Sequence, residues 1–151
     1  MANKVETKLI EPLFQAFQKE RFVTVSTIDH ETGAPHVAAI SWVYAPDASR
    51  LYAALDSRSR IVENIKKHPA AAVSVLANES SYCIIGNTYV KLERLEEVPL
   101  KLSLIELSIS EVRDVMFYGS RISVEPQYEK TYDEKAASRL DQQVFAAMKK
   151  A

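Results

Sequence analysis

Three β-patterned segments follow one another between Arg21 and Leu55, joined by links too short to hold a crossover helix. RFVTVSTID sets Val23 and Val25 on one side and Thr24 and Ser26 on the other, the two-residue period of a strand. DHETGAPH is its turn, with Asp29 and Gly33 supplying the turn chemistry. VAAISWVYA reads as the return strand, and RLYAAL as the next, after a turn over Pro46–Ser49. Parallel neighbours need a connection of about a dozen residues or more, so these links commit the chain to an antiparallel sheet.

The remaining segments extend that sheet. SRIVENIKK is a short helix with Ile61, Val62 and Ile65 as its apolar stripe, and Pro69 stands where it should stop. AAAVSVL, residues 70–76, is a strand of low charge, and SYCIIGNTYVKLERL is another, interrupted by Gly86 as a bulge or close approach would require. LKLSLIEL alternates Leu100, Leu102 and Leu104, and EVRDVMFYG is the last long strand. Between them, Ile105–Glu111 follows neither period cleanly.

At the ends, LIEPLFQAF puts Leu9, Leu13, Phe14 and Phe17 on one helical side, starting near Pro12. From Thr131, in capping-box spacing with Glu134, a second terminal helix carries Ala137, Leu140, Val144, Ala147 and Met148 on one face. The expectation is one domain over 1–151 with terminal helices near 6–18 and 132–149. About seven strands and three helices make a mainly β fold, an antiparallel barrel, closed or nearly closed, with short peripheral helices.

Composition narrows the function classes. The 151 residues carry a net charge of −1, so no global positive field exists to grip nucleic acid, although a local cluster can hold one small anion. No run approaches the ~20 apolar residues of a membrane span. The single cysteine, Cys83, excludes an intrachain disulfide; with no export signal, it places the expected protein in a reducing cytoplasm. His30, His36 and His68 have no metal-ligand spacing. Walker, GxSxG and HExxH motifs are absent.

The most informative stretch is DSRSRIVENIKKHP, residues 56–69. Arg58, Ser59 and Arg60 stand where a strand ends and a helix starts. A phosphate there would meet backbone N–H groups, a hydroxyl and guanidinium forks. The plainer account is a capped helix flanked by solvated charges. Lys66, Lys67 and His68, at the other end of that helix, stabilise its dipole. Trp42 and Tyr44 share a strand face and Tyr52 lies on the next strand; such rings pack in a core or lie under a flat ligand or a subunit.

In order and spacing, RFVTVSTIDHETGAPHVAAISWVY followed by LYAALDSRSRIVENIKKHPAAAVSVL resembles the pyridoxamine 5'-phosphate oxidase-like proteins, the FMN-binding split barrels. The match runs from Arg21 to Leu76, loosens through SSYCIIG and fades after Leu95. The resemblance implies an antiparallel split β-barrel and a homodimer with FMN between its subunits. Ser59 and Arg60 fall on the family's phosphate-holding pair, with Arg58 assisting. Leu55 replaces a threonine that often donates to the phosphate, and Ile61 replaces a lysine. Ala38, Ala39, Ile40 and Ser41 would lie along the isoalloxazine ring, and Ser81 would reach FMN from the neighbouring subunit.

Other departures bear on the substrate. The authentic oxidase has arginine at Ala38, lysine at Val43, and a C-terminal Trp and Arg for which this chain has no counterpart. The resemblance therefore implies a flavin-dependent oxidoreductase acting on a small molecule other than pyridoxamine 5'-phosphate, with no catalytic side chain assigned and hydride carried by the flavin. The alternatives are a non-catalytic split barrel that binds or senses haem, a deazaflavin or another planar ligand, and a purely structural dimer module.

Overall fold

The computed structural model describes residues 5–151. Its strands are β1 (Val5–Glu6), β2 (Val23–Ile28), β3 (Pro35–Ile40), β4 (Val43–Asp47), β5 (Arg50–Asp56), β6 (Ala70–Ala77), β7 (Ser80–Leu92) and β8 (Leu102–Asp114). Its helices are α1 (Glu11–Ala16), α2 (Arg60–Lys67) and α3 (Glu134–Lys150). All strand pairs are antiparallel, in the order β3-β2-β6-β7-β8-β5-β4, with β1 added on β8.

That order closes the sheet. β3 and β4 are its two ends, yet only Ser41 and Trp42 separate them along the chain. The sheet must curl until its ends meet at this junction. Arg21 N–H donates to Ser41 O at 3.3 Å and Ala54 N–H to Trp42 O at 3.0 Å, tying the junction to both flanks. β4 pairs with β5 only as far as Val43 opposite Ala53. Past that point the end of β5 faces β3 without ladder bonds, and the barrel is split there.

Four expectations need correction. VAAISWVYA is two strands, because it turns the corner between the sheet's ends. LKLSLIEL and EVRDVMFYG belong to one strand, β8, that runs through the ambiguous link. The apolar side changes face within the strand: Leu102 and Leu104 pack under α3, whereas Ile105 and Leu107 point into the barrel, so no single period runs through it. The strand stops at Asp114, leaving Phe117 and Tyr118 exposed. The cap of α3 is Asp133, whose carboxylate accepts from Ala136 N–H at 3.0 Å, and not Thr131.

The N-terminal helix falls short of the expected 6–18, since α1 covers only Glu11–Ala16 and Glu6 belongs to β1. Leu13 and Phe17 of the N-terminal segment are fully buried in the barrel core. Asp29 O accepts from Gly33 N–H, and Gly33 takes φ +76°, which glycine adopts at little cost. Gly86 sits at a register shift between β7 and β8, where an added Cβ would meet the Ser108 carbonyl. Trp42 and Tyr44 lie against α3, within their own chain: Trp42 Nε1 donates to Asp141 and the Tyr44 ring meets Phe145 edge-on.

The sheet's outer face over β3, β2, β6 and β7 carries small and apolar side chains. Ala39, Thr24, Ser74 and Cys83 form one row across it, with Val37, Ser26 and Ala72 beside them. Val37 is 60% exposed. Ser81, opposite Leu76, belongs to this face.

Candidate functional site

A groove of about 340 Å³ occupies the split. One wall is Ala38, Ala39, Ile40, Ser41 and Trp42; the other is Ala54, Leu55 and Asp56 at the end of β5, with Ser59 and Ile61 at the start of α2. Alanines keep the floor shallow, and β3, as an end strand, turns one row of peptide groups toward the gap. A wider depression of about 770 Å³ between Ser80, Asp114 and the 116–121 loop is open and lies off the split.

Of the expected site residues, Ala38, Ala39, Ile40, Ser41, Leu55 and Ser59 meet at this groove. The side chains of Leu55 and Ile61 are buried in the barrel core and give the site no polar side-chain atom. Ser59 caps α2: its Oγ accepts from Ile61 N–H at 3.2 Å, which leaves its own proton for another acceptor. Arg58 is 88% exposed beside Asp56, and its N–H donates to Asp56 Oδ1 at 2.8 Å. That N–H, with the Arg58 side chain, holds the Asp56 carboxyl below its ordinary range.

Arg60 faces a partner that sequence reasoning missed. Its Nε is 2.5 Å from Asp29 Oδ1 and its Nη2 is 3.0 Å from Asp29 Oδ2, with Glu31 Oε1 3.4 Å from Nη2. Asp29 was legible as a turn residue, and it does accept from Thr32 and Glu31 N–H. No local pattern links it to an arginine on a helix 31 positions away. The Arg60 guanidinium, followed by the Thr32 N–H, holds the Asp29 carboxyl well below the carboxylate range, and Asp29 raises Arg60 in turn. Arg60 therefore flanks the groove and does not line it.

The turn is further tied to α2. Asn64, fully buried, donates to Thr27 Oγ1 and accepts from His30 N–H at 2.8 Å, and Lys67 Nζ donates to His30 O at 2.9 Å. The Asn64 bonds tie the middle of α2 to this turn from within the core, and Lys67 adds an exposed contact at the far end of the helix. Ser81 lies on the outer sheet face, outside the groove of its own chain.

A family model for pyridoxamine 5'-phosphate oxidase matches residues 10–139. The chain belongs to this family. Among solved structures, it is similar to a candidate pyridoxamine 5'-phosphate oxidase from Lactobacillus delbrueckii, with 21% identity and a TM-score of 0.63 over 74% of this chain and 98% of that one. It is also similar to Group A Streptococcus HupZ, with 9% identity and a TM-score of 0.59 over 77% and 100% of the two chains. A heme binding protein from Mycobacterium smegmatis gives 16% identity and a TM-score of 0.52 over 73% and 54%. At these identities the likeness carries the fold alone. No curated protein matches the chain.

The residues of the groove fit a planar ligand that carries a phosphate. The alanine floor and the end strand suit a flat ring. The Ser59 hydroxyl, the free edge of Arg60 and the exposed Arg58 fork suit a phosphate monoester. Among the described residues no cluster of three or more His, Cys, Asp or Glu could hold a metal ion, and no helix is long and apolar enough to cross a membrane.

Proposed function

We propose that this chain binds FMN in the groove between β3 and the β5–α2 turn and works as a homodimeric, flavin-dependent oxidoreductase on a small molecule other than pyridoxamine 5'-phosphate. The observation that carries the choice of ligand is the groove lining. The walls this chain supplies contain none of the His, Cys, Met or Tyr side chains that ligate haem iron, and the α2 end offers donors for a phosphate. When bound, the flavin supplies hydride transfer.

The chain's own residues bind and orient. Ala38 and Ala39 admit the ring plane against the β3 backbone, while Trp42 shields one end from water. Ser59 donates its hydroxyl to the phosphate, and Arg60, pre-set by Asp29, adds charge from the side. Arg58 completes the phosphate site by leaving Asp56, an exchange of one solvated pair for a charge-assisted bond. The partner's outer sheet face would bring Ser81 to the second side of the ligand.

A haem, deazaflavin or other planar ligand is the second reading. It is favoured by the burial of Leu55 and Ile61, which removes two phosphate contacts, and by the similarity to a heme binding protein. The absorbance spectrum of freshly purified protein separates the readings. A flavin double band supports the proposal, and a Soret band or failure to take up added FMN overturns it.

A further inference from the structure

Ser41 and Trp42, the two groove residues at the β3–β4 junction, are held from behind by Glu20, just ahead of β2, and by the segment that follows β8. Ser41 Oγ is 3.3 Å from Glu20 Oε2, and Trp42 Nε1 donates to Asp141 Oδ1 at 2.9 Å. Lys130 Nζ bridges the two carboxylates, 2.8 Å from Glu20 Oε2 and 3.0 Å from Asp141 Oδ2. Tyr128 donates its hydroxyl to Glu20 Oε1 at 2.8 Å. Burial works against the Lys130 charge, but Glu20 and Asp141 outweigh it and raise its pKa. Burial and the bond to Glu20 raise Tyr128, which stays a donor.

The polarity of the Ser41 contact follows. A carboxylate facing a lysine accepts and cannot donate, so Ser41 spends its one proton on Glu20. The bond is long for O–H···O, yet its direction is forced. Toward the groove Ser41 is left with lone pairs only. Oxidised isoalloxazine has a single ring N–H, at N3, whereas N1, N5 and the two carbonyl oxygens are acceptors. Porphyrin carboxylates also accept, and would meet Ser41 unpaired.

We infer that Ser41 is a specificity-determining acceptor for a ring N–H of the planar ligand, and that Glu20 and Lys130 are positioning residues that keep it an acceptor. The inference rests on the reading that the groove binds a flavin. It selects ligands with a pyrimidine-like edge over those without one, because a site built around one polar contact rejects analogues that cannot make it.

The test compares binding of FMN and its 3-methyl analogue, which lacks the N3–H, by flavin fluorescence titration. Wild type should bind FMN about 10-fold more tightly than the analogue. Ser41→Ala should bind both alike. Lys130→Met should lose most of the preference and Lys130→Arg should restore it, a pattern that a merely structural role would not produce. Glu20→Gln carries the same test if Lys130→Met does not fold: its amide can donate to Ser41, free the hydroxyl proton and shrink the preference. Equal binding of both ligands by wild type, or a preference retained in Ser41→Ala or in Glu20→Gln, overturns the inference while leaving a flavin site intact. Binding of neither overturns the flavin reading itself.

Discussion

The Arg60 guanidinium lies edge-on to the Asp29 carboxylate in a two-bond pair, joining the first turn of α2 to the β2–β3 turn. The pair fixes the plane of the arginine beside the groove and leaves one nitrogen, Nη1, outside it. A fork held in this way loses little freedom when it meets a ligand anion.

The pair has a pH signature. Asp29 has a folded-state pKa depressed below its ordinary 3.8, so its contribution to stability is present above that value. It is lost as pH falls further, through the folded pKa. Wild type should therefore lose melting temperature more steeply than Asp29→Asn on acidification below the ordinary carboxylate range. Parallel melting curves for the two proteins across that range would show that the pair contributes nothing.

Phosphate recognition can be isolated by comparing FMN with riboflavin, which lacks the phosphate. Arg60→Ala should weaken FMN binding about 10-fold or more and leave riboflavin unchanged. Lys67→Ala should alter neither affinity, because Lys67 is engaged with the His30 carbonyl at the other end of α2. Unchanged FMN affinity in Arg60→Ala would return Arg58–Arg60 to the plainer account of a capped helix with solvated charges.

Pyridoxamine 5'-phosphate should not be turned over at an ordinary enzyme rate of about 1 s⁻¹ or faster. Ala38 offers no charge to the substrate, and Val43 is buried in the core, 1% exposed. Formation of pyridoxal 5'-phosphate by FMN-loaded protein is the direct assay, and turnover at that rate would contradict the assignment.

The outer face of β3, β2, β6 and β7 should be the dimer contact, burying more than about 2,000 Å² in total. Val37→Glu places a charge at its exposed edge and should shift sedimentation toward monomer. Wild type sedimenting as a monomer at micromolar concentration would exclude the dimer.

Gly86→Ala should destabilise the fold by about 3 kcal/mol or more. The added Cβ meets backbone atoms of Ser108 and Ile109, which cannot swing aside as a side chain would. Denaturant unfolding measures the loss, and a change within about 0.5 kcal/mol would mean that β8 can move.

Local patterns determined much of this protein. Alternation in RFVTVSTID, short links and the Asp29–Gly33 turn dictate antiparallel strands, because side-chain period and turn chemistry act within a few residues. The Ser-Arg step before a capped apolar stripe located α2 and one end of the groove for the same reason. Tertiary structure alone decided the rest. β8 hides its period because its apolar side passes from the α3 face at Leu102 and Leu104 to the barrel face at Ile105 and Leu107. The corner at Ser41–Trp42 exists because the sheet must close on itself. Asp29 meets Arg60, and Lys130 meets Glu20 and Asp141, across separations of 31, 110 and 11 positions. A charge or hydroxyl carries no local mark of the distant group it will face; only the closed barrel, with its tail packed back against the junction, sets those pairs and the polarity of the groove.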